Sequence, residues 1–336
     1  MQPVGRVKMA DVARAAGVSV ATVSKVVNGR YGVSPATHDK VLGVIADLGY
    51  EASLGARSLR SLRTNVIGVL VAEFEPFSTE LLKGVSAAIG ETRYELIAHS
   101  GRHHGDQVGW ERRSLARLGG SVIDGAIVVT PTVVDARDGG IPVVAVDPHT
   151  GPSDVPTVDA DNLGGAVTAT EHLLALGHRR VAFLGGRTDL ESARLREKGF
   201  REAMRRAGVP VDESLVVVGG YRAESAEAPA RALLSRAERP TAVFAANDLS
   251  AIRTMDVARS LGLDVPGDLS VVGFDNVPES ALSTPALTTI AQPLQEIGAT
   301  ALRILVSLLD GEGSSPGHAR LPTTMVERAS CAPPPA

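Results

Sequence analysis

The chain has 336 residues, of which 44% are apolar and 21% charged, and its net charge is −4. This length is too great for one ordinary core and suits two or three domains. No apolar run approaches the roughly 20 residues that span a bilayer, and charges stand where a secretory signal would be apolar. Cys331 is the one cysteine, so no intrachain disulfide can form, and a cytoplasmic location without membrane contact is expected.

The charge is divided unevenly along the chain. Residues 1–63 contain nine Lys or Arg against four Asp or Glu, a net of +5, whereas the other 273 residues carry a net of −9. A small basic head on a larger acidic body indicates that the head binds a polyanion. A basic face that is merely solvated is the alternative.

Three helices are predicted in the first 50 residues. The first spans about 9–16 and ends at Gly17, which readily adopts left-handed backbone geometry. Ser19 is predicted to cap a second helix after only a short turn. Ser34, followed by a proline, is predicted to cap a third helix that Gly49 ends. This is helix-turn-helix spacing, and a generic helical hairpin is the alternative.

The stretch "AAGVSVATVSKVVNG" (15–29) places valines at core spacing and short polar groups between them. With the valines turned inward, the outer face of the second helix is narrow enough for a DNA major groove. There Lys25 could donate to guanine, and Thr22 and Ser24 could reach base edges or phosphates. Ser19 and Ser34, at helix N-termini, stand where phosphate binds favourably.

Residues 51–63, "EASLGARSLRSLR", place leucines among arginines. As an isolated helix this segment is too short to be stable in water, so it should order only against a partner. The alternative is a flexible interdomain linker.

Beyond residue 64, short apolar runs alternate with longer amphipathic stretches. Strands are predicted at 65–72, 94–99, 125–130, 141–147, 180–185, 241–248 and 269–275, and helices at 166–178 and 194–208. This alternation predicts an α/β fold with parallel sheets covered on both faces. Because the pattern occurs twice, before and after about residue 162, we expect two similar lobes with a cleft between them.

Open parallel sheets bind ligands beyond the carboxyl ends of their strands. The side chains expected there are Glu73, Phe74, Phe77, Asp147, Asn247, Asp248 and Asp275. Carboxylates and an amide suit vicinal hydroxyls, and an aromatic face suits the apolar side of a ring, so this set predicts a sugar site. The chain has no phosphate-binding glycine loop, and no nucleotide cofactor is predicted.

Three stretches in order, "MADVARAAGVSVATVSKVVNG", "VSPATHDKVLGVIADLGY" and "ARSLRSLRTNVIGVLV", resemble the LacI family of bacterial transcription repressors. The likeness continues to the C-terminus. It implies a homodimer that binds near-palindromic operator DNA, with Val20, Ala21 and Lys25 as base-reading residues. Lys25 stands where the family usually has arginine, so the bidentate fork is lost. The DNA-contacting residues expected are Ser19, Val20, Ala21, Thr22, Ser24, Lys25, Asn28, Ser34, Thr37 and Leu59.

The resemblance also implies a division of the chain. Residues 1–50 would form the helix-turn-helix domain, 51–63 a hinge helix, and 64–336 a periplasmic-binding-protein-like body that binds the effector and dimerises. The two lobes would be joined by crossovers near 162, 291 and 320, with 287–293 returning the chain to the first lobe. Leu59 corresponds to a leucine that wedges into the minor groove, and Ala52 and Ser53 stand where the family commonly has Pro and Asn.

For the effector, the resemblance implies that Arg196 holds ligand hydroxyls and that Asp275 is a ligand carboxylate. Phe77, Asp147, Asn247 and Gln292 would line the same site. A structural ion pair between Arg196 and Asp275 is the alternative for those two residues. Asp248 is predicted to be a helix N-cap rather than a ligand contact, and Trp110 a packing or interface residue.

A metal site and an enzyme are the weaker interpretations. His99, His103 and His104 could suggest a metal, but neighbouring glycines and the lack of a carboxylate or thiol partner favour a solvated loop. No nucleophile motif is present. The predicted function is therefore an effector-controlled repressor of carbohydrate-utilisation genes, without enzymatic activity or cofactor. A two-lobed transport protein and a sugar-processing enzyme are the alternatives.

Overall fold

A computed structural model describes residues 7–27, 31–50, 63–101, 109–132, 138–151, 154–312 and 317–335. The chain divides into two compact units, Met1–Thr64 and Asn65–Ala336. Among the described residues, no helix is both long enough and apolar enough to cross a membrane.

The first unit contains three helices, α1 (Met9–Ala16), α2 (Val20–Val27) and α3 (Pro35–Leu48). Gly17 and Gly49 end α1 and α3 with φ of +63° and +59°, the left-handed geometry expected of them. The Ser19 hydroxyl accepts the Thr22 backbone N–H at 3.1 Å, and the Ser34 hydroxyl accepts that of Thr37 at 3.3 Å. All three predicted helices and both predicted serine caps are confirmed.

Valines form the core of this unit, as their spacing predicted. Val12, Val23 and Val41 are fully buried, and Val26 is 5% exposed. Each of the three helices contributes at least one of these side chains, so the outer face of α2 is left without a packing role within the unit.

The second unit contains two six-stranded sheets. The first sheet has the order β11-β5-β4-β3-β1-β2, with β1 Val66–Val71, β2 Glu95–Ser100, β3 Gly125–Val129, β4 Val143–Val146, β5 Thr157–Ala160 and β11 His318–Leu321. The second has the order β12-β10-β9-β8-β6-β7, with β6 Val181–Gly185, β7 Val216–Val218, β8 Ala242–Ala245, β9 Ser270–Asp275, β10 Thr288–Ala291 and β12 Thr324–Val326. All strand pairs are parallel except β10 with β12. The seven predicted strands are present, and five short strands were not predicted.

Eight helices of the described chain cover these sheets. They are α4 Pro76–Ile89, α5 Trp110–Leu118, α6 Asn162–Ala175, α7 Glu191–Arg206, α8 Ala223–Leu234, α9 Asp248–Ser260, α10 Pro278–Leu282 and α11 Leu294–Asp310. We call the first sheet with its helices the first lobe, and the second sheet with its helices the second lobe. The predicted helices at 166–178 and 194–208 correspond to α6 and α7.

The chain passes between the sheets three times. It leaves the first sheet after β5, returns after β10 into α11, and leaves again between β11 and β12. The segment 287–293 contains the return to the first lobe, as expected. Its β10 part pairs with β9 in the second sheet, and Gln292 and Pro293 lead from there into α11.

Each lobe has its own core. Ile67, Ile127 and Val144 from the first sheet pack with Ile297 and Leu305 of α11. One face of the second sheet carries an aromatic cluster, in which the rings of Phe183 and Phe200 stack with centroids 5.2 Å apart. Such packing makes each lobe a rigid support for the residues at its strand ends.

Two glycines allow α4 and α11 to approach closely in the first lobe. A Cβ at Gly84 would lie 1.9 Å from the Gln295 carbonyl oxygen, and one at Gly298 would lie 2.2 Å from that of Leu81. No other residue type fits this contact without moving a helix. The crossover at Gln292 and Pro293 leads directly into α11. The contact between α4 and α11 therefore fixes the position of this crossover in the first lobe.

Candidate functional site

A cavity of about 110 Å³ lies between the two lobes, beyond the carboxyl ends of their strands. The first lobe contributes side chains that follow β1, β3 and β4, and the second lobe contributes side chains from α7 and α9 and from the segments after β6, β7, β8 and β9. The polar and aromatic lining residues are Glu73, Glu75, Phe77, Thr130, Asp147, His149, Arg187, Ser192, Arg196, Tyr221, Arg222, Asn247 and Asp275.

Arg196 is the central cation of this cavity. Its side chain is buried, and Nη1 lies 3.3 Å from Asp275 Oδ1. Nε donates to Asn162 Oδ1 at 2.8 Å, and Nη1 also donates to the Ala246 carbonyl. The guanidinium stands 3.8 Å over the ring of Phe274, a cation–π arrangement. Arg196 and Asp275 thus form an ion pair and also line the cavity. A structural role as an ion pair and a role in contacting a ligand are therefore compatible for these two residues.

Burial sets the electrostatics of the two cavity carboxylates. It raises the pKa of Asp147 to about 6, against the opposing effects of Arg196 and of a hydrogen bond from Ser192. It likewise raises the pKa of Asp275 to about 6, against Arg196 and a hydrogen bond from Gln292. Carboxyl groups with perturbed pKa values in a cleft are typical of binding and catalytic sites.

The backbone around the cavity is strained. Six non-glycine residues in the described ranges have positive φ, and four of them line this cavity. These are Thr130 at 46°, Asp147 at 47°, Tyr221 at 67° and Asp275 at 113°. Such conformations cost energy and persist where the surrounding structure holds a functional side chain in place.

The structure brings five of the six predicted ligand residues to this cavity, namely Phe77, Asp147, Arg196, Asn247 and Asp275. The sixth, Gln292, is not among the lining residues. Its side-chain Nε2 donates to Asp275 Oδ1 at 2.6 Å. Gln292 therefore orients a lining carboxylate instead of facing the cavity itself. Three further residues were expected at the strand ends. Glu73 lines the cavity, whereas Phe74, which is 52% exposed, and Asp248 do not.

The prediction that Asp248 is a helix N-cap is wrong. Asn247 is the N-cap of α9, since it retains extended backbone angles and its Oδ1 accepts the Ser250 N–H at 3.1 Å. Asp248 is instead the first residue of the helix and is fully buried. Its carboxylate accepts the Val277 N–H at 2.9 Å and the Thr289 hydroxyl at 2.5 Å.

Seven polar or aromatic lining residues were not predicted from the sequence: Glu75, Thr130, His149, Arg187, Ser192, Tyr221 and Arg222. Tyr221 and Arg222 follow β7, a three-residue strand too short to be seen by periodicity. Arg222 forms an ion pair with Glu73 of the first lobe, and His149 Nδ1 lies 3.3 Å from Asp189 Oδ2 of the second. The Gly-Gly pair that precedes Tyr221 was the available signal for a functional turn.

Trp110 is a packing residue, as predicted. It is 2% exposed at the start of α5, and a Cβ at Gly101 would lie 2.4 Å from its ring. His103 and His104 lie outside the described residues. Within the described ranges, no group of three or more His, Cys, Asp or Glu is placed to hold a metal ion.

In the first unit, α2 exposes the side chains that the sequence predicted to read bases. Val20 is 45% exposed, and Ala21 and Lys25 are exposed as well. Thr22 and Ser24 are half-buried on the same helix. Ser34 and Thr37 lie together at the start of α3, with their hydroxyl oxygens 2.9 Å apart. Asn28 and Leu59 lie outside the described residues.

Two family models match the chain. The model described as bacterial regulatory proteins, lacI family, matches residues 8–53, and the periplasmic binding protein-like domain matches residues 170–331. The chain is 33% identical over 327 residues to catabolite control protein A of Priestia megaterium, with 95% of this chain and 98% of that protein covered. It is 35% identical to the ribose operon repressor of Escherichia coli, with 96% and 99% covered.

Solved structures agree with these relatives. The complex of the transcriptional regulator CelR with cellobiose matches with a TM-score of 0.73 and 34% identity, covering 97% of this chain and all of that one. The lac repressor dimer bound to operator and the anti-inducer ONPF matches with a TM-score of 0.84 and 27% identity, covering 98% and 100%. The fold, the cavity and these full-length similarities together establish that the chain belongs to the lacI family of bacterial regulatory proteins.

Proposed function

We propose that the protein is a repressor of carbohydrate-utilisation genes, and that a small sugar-like effector in the cavity between the lobes controls its affinity for operator DNA. The observation that carries this proposal is the cavity lining. Asp147 and Asp275 can accept hydrogen bonds from hydroxyl groups, Asn247 and Arg196 can donate hydrogen bonds to hydroxyl oxygens, and Phe77 offers an apolar face. Together these groups suit a polyhydroxylated ring. A similar solved structure is the complex of the regulator CelR with cellobiose, which supports a sugar as the effector.

The DNA interface proposed is the outer face of α2. Val20, Ala21 and Lys25 are exposed there and would contact base edges in the major groove. Ser19, Thr22, Ser24, Ser34 and Thr37 would contact phosphates or base edges near two helix N-termini. Asn28 and the hinge residue Leu59 are retained as contacts on the sequence resemblance alone.

We infer a homodimer on a near-palindromic operator, because the lac repressor relative is a dimer on its operator. The proposed division is residues 1–50 for DNA binding, 51–63 for the hinge and 64–336 for effector binding and dimerisation. A regulator of this kind works in the cytoplasm, where the DNA is. We propose that it acts by binding alone and catalyses no reaction, since the relatives are regulators.

Control of the operator follows from differential affinity. An effector that contacts both lobes binds the closed arrangement more tightly than the open one, and only this difference can shift the protein between DNA-binding states. The rival transport function has no use for a basic helix-turn-helix unit.

A thermal-shift screen against mono- and disaccharides, followed by operator-binding assays with each stabilising sugar, tests the proposal. A ligand that binds only the folded state raises stability by mass action, by about 2.7 kcal/mol at a hundredfold excess over Kd. A sugar that stabilises the protein should also change operator affinity. The proposal fails if a stabilising sugar leaves operator affinity unchanged, or if the protein does not prefer any operator over random DNA.

A further inference from the structure

The turn that carries Asp275 has an unusual backbone. Asp275 and Asn276 have φ of 113° and 58°, in the left-handed region that favours glycine. Two consecutive non-glycine residues in this region are costly, so neighbouring groups must hold them there. The side chains that hold this turn come from α9 and from the C-terminal segment after β12, and neither of these side chains lines the cavity.

Asp248, at the start of α9, holds one side of the turn. Its carboxylate is fully buried and accepts the Val277 backbone N–H at 2.9 Å and the Thr289 hydroxyl at 2.5 Å. Gly273 of β9 makes room for it, because a Cβ there would lie 2.3 Å from Asp248 Oδ1. Asp248 therefore connects the turn to β10 through two buried hydrogen bonds.

Arg328, in the C-terminal segment, holds the other side of the turn. Its Nη2 donates to Asn276 Oδ1 at 2.7 Å, and its Nη1 donates to the Leu287 carbonyl at 2.7 Å and to the Ser280 hydroxyl at 3.1 Å. Its backbone N–H donates to the Thr288 hydroxyl at 2.9 Å. One guanidinium thus joins the turn, α10 and the start of β10.

We propose that Asp248 and Arg328 are positioning residues of the effector site, which hold residues 275–277 so that the Asp275 carboxylate faces the cavity beside Arg196. Neither side chain is among those that line the cavity. This inference rests on the proposed function, because that function makes the cavity an effector site. The hydrogen bonds that hold the turn do not depend on it. It gives Arg328, in the segment after β12, a role in effector recognition.

The pKa of Asp275 reports how well the turn is held. Burial is the largest cause of its increase, and the charged groups that act on Asp275 are Arg196 of α7, Asp147 after β4, and Glu75 before α4. Burial and the Asp275 charge both raise the pKa of Asp248 in turn. A variant that loosens the turn and admits water to Asp275 should therefore lower the pH at which Asp275 ionises.

The test compares Asp248→Asn, Arg328→Ala and Arg328→Lys, with Asp256→Asn and Arg205→Ala as matched controls, since those two residues form ion pairs on exposed helix faces. The Asp275 carboxyl is followed by ¹³C NMR over a pH series in full-length protein and assigned through Asp275→Asn. In Asp248→Asn its pKa should fall towards the ordinary value. In Arg328→Ala the freed turn should expose Asp275 to water and lower its pKa as well, with Arg328→Lys in between.

A second readout is the affinity for a sugar probe at pH 8, using D-ribose, D-glucose or cellobiose, whichever raises the melting temperature of the wild type. Arg328→Ala should lose affinity by roughly tenfold, because a displaced acceptor leaves a hydrogen bond unmade. Asp248→Asn keeps one acceptor oxygen and should lose less. Sugar affinity and operator affinity should both stay unchanged in the control variants.

An unchanged Asp275 titration in both Asp248→Asn and Arg328→Ala would overturn the inference, whatever the sugar results. If no probe bound, or if Arg196→Ala kept full sugar affinity, the proposed function would fail instead, while the NMR titration would still decide the positioning role. A variant that lost its fold would show no cooperative unfolding, and the remaining variant of the pair would then carry the test.

Discussion

Arg196 Nη1 and Asp275 Oδ1 lie 3.3 Å apart, and their side chains are only 4% and 6% exposed although both line the cavity. Two buried charges stabilise each other only while both are present, and removing one partner typically costs about 3 to 5 kcal/mol. The pair is therefore a structural element of the second lobe and also a donor and acceptor facing the ligand.

The first prediction follows from this double role. Arg196→Ala and Asp275→Ala should keep near-normal operator affinity without effector but should not respond to the effector, giving constant repression in cells. The loss in effector affinity should be on the order of 2 kcal/mol or more, because charge-assisted hydrogen bonds are lost and cavity groups are left unpaired. Operator release is measured over a sugar titration.

Arg205→Ala is the control for this experiment, since that arginine is exposed on the same helix and pairs with Glu202. Operator release at the wild-type sugar concentration by either cavity variant would remove that residue from the site. Arg196→Ala should also unfold more readily at pH 8 than at pH 5, because at low pH the carboxyl groups left behind can take up a proton.

The second prediction concerns pH. Asp147 and Asp275 have pKa values raised to about 6, so near that pH a fraction of each is protonated. Sugar hydroxyls donate to the ionised forms, so binding should release protons at pH 6 and tighten as pH rises to 8. Calorimetry at pH 6 in two buffers of different ionisation enthalpy measures this release. Equal heats in both buffers would contradict the assignment of these carboxylates to the ligand.

The raised pKa values of Asp147 and Asp275 also determine whether the free energy of unfolding rises or falls with pH. Both folded-state pKa values lie above the unfolded value of about 4, so the unliganded folded protein holds more protons than the unfolded chain between these limits. These two carboxyl groups therefore contribute to the free energy of unfolding below about pH 4, and this contribution is lost as the pH rises through about 6. In Asp147→Asn, the stability decrease over this interval should be smaller than in the wild type.

Much of the fold was predictable because its signals are local. Gly17, Ser19 and Ser34 mark helix ends through their own backbone and hydroxyl groups, and the seven predicted strands are apolar runs long enough to recognise. The missed strands are short, and β7 in particular has three residues. Their conformation depends on pairing partners far along the chain, which periodicity does not contain.

From the residues alone, the site was predictable where a residue follows a recognised strand, whereas Arg196, on α7, was predicted only from the family resemblance. Asp147, Asn247 and Asp275 follow such strands, and they line the cavity. Tyr221 follows the missed strand β7 and was missed with it. The role of Asp248 was mistaken because both Asn247 and Asp248 can cap a helix, and only the long-range contact with Thr289 decides between them. Nothing local indicates that Arg328 reaches the turn at Asn276, 52 residues away.

The third prediction concerns base reading by Lys25. Lys25→Ala should weaken operator binding by about 1 to 3 kcal/mol and should reduce the preference for operator over random DNA. Lys25→Arg restores the bidentate fork and should bind a guanine-containing operator at least as tightly. Both are measured by fluorescence anisotropy at several salt concentrations. Lys40→Ala, an exposed lysine of α3, is the control and should weaken both DNAs alike. Equal losses on both DNAs in Lys25→Ala would exclude a base contact.

The fourth prediction concerns the contact between α4 and α11. Gly84→Ala places a methyl group 1.9 Å from the Gln295 carbonyl oxygen, so the helices must separate. Overpacking of this kind costs about 1 to 3 kcal/mol, measured by urea denaturation as a lower midpoint with an unchanged slope. Gly90→Ala is the matched control, because a Cβ there meets nothing nearer than 3.8 Å and its backbone is already right-handed. That variant should be neutral or slightly more stable. If Gly84→Ala were as stable as Gly90→Ala, the close helix contact could not be what fixes α11, and the first lobe would have to be held to the crossover by its apolar core alone.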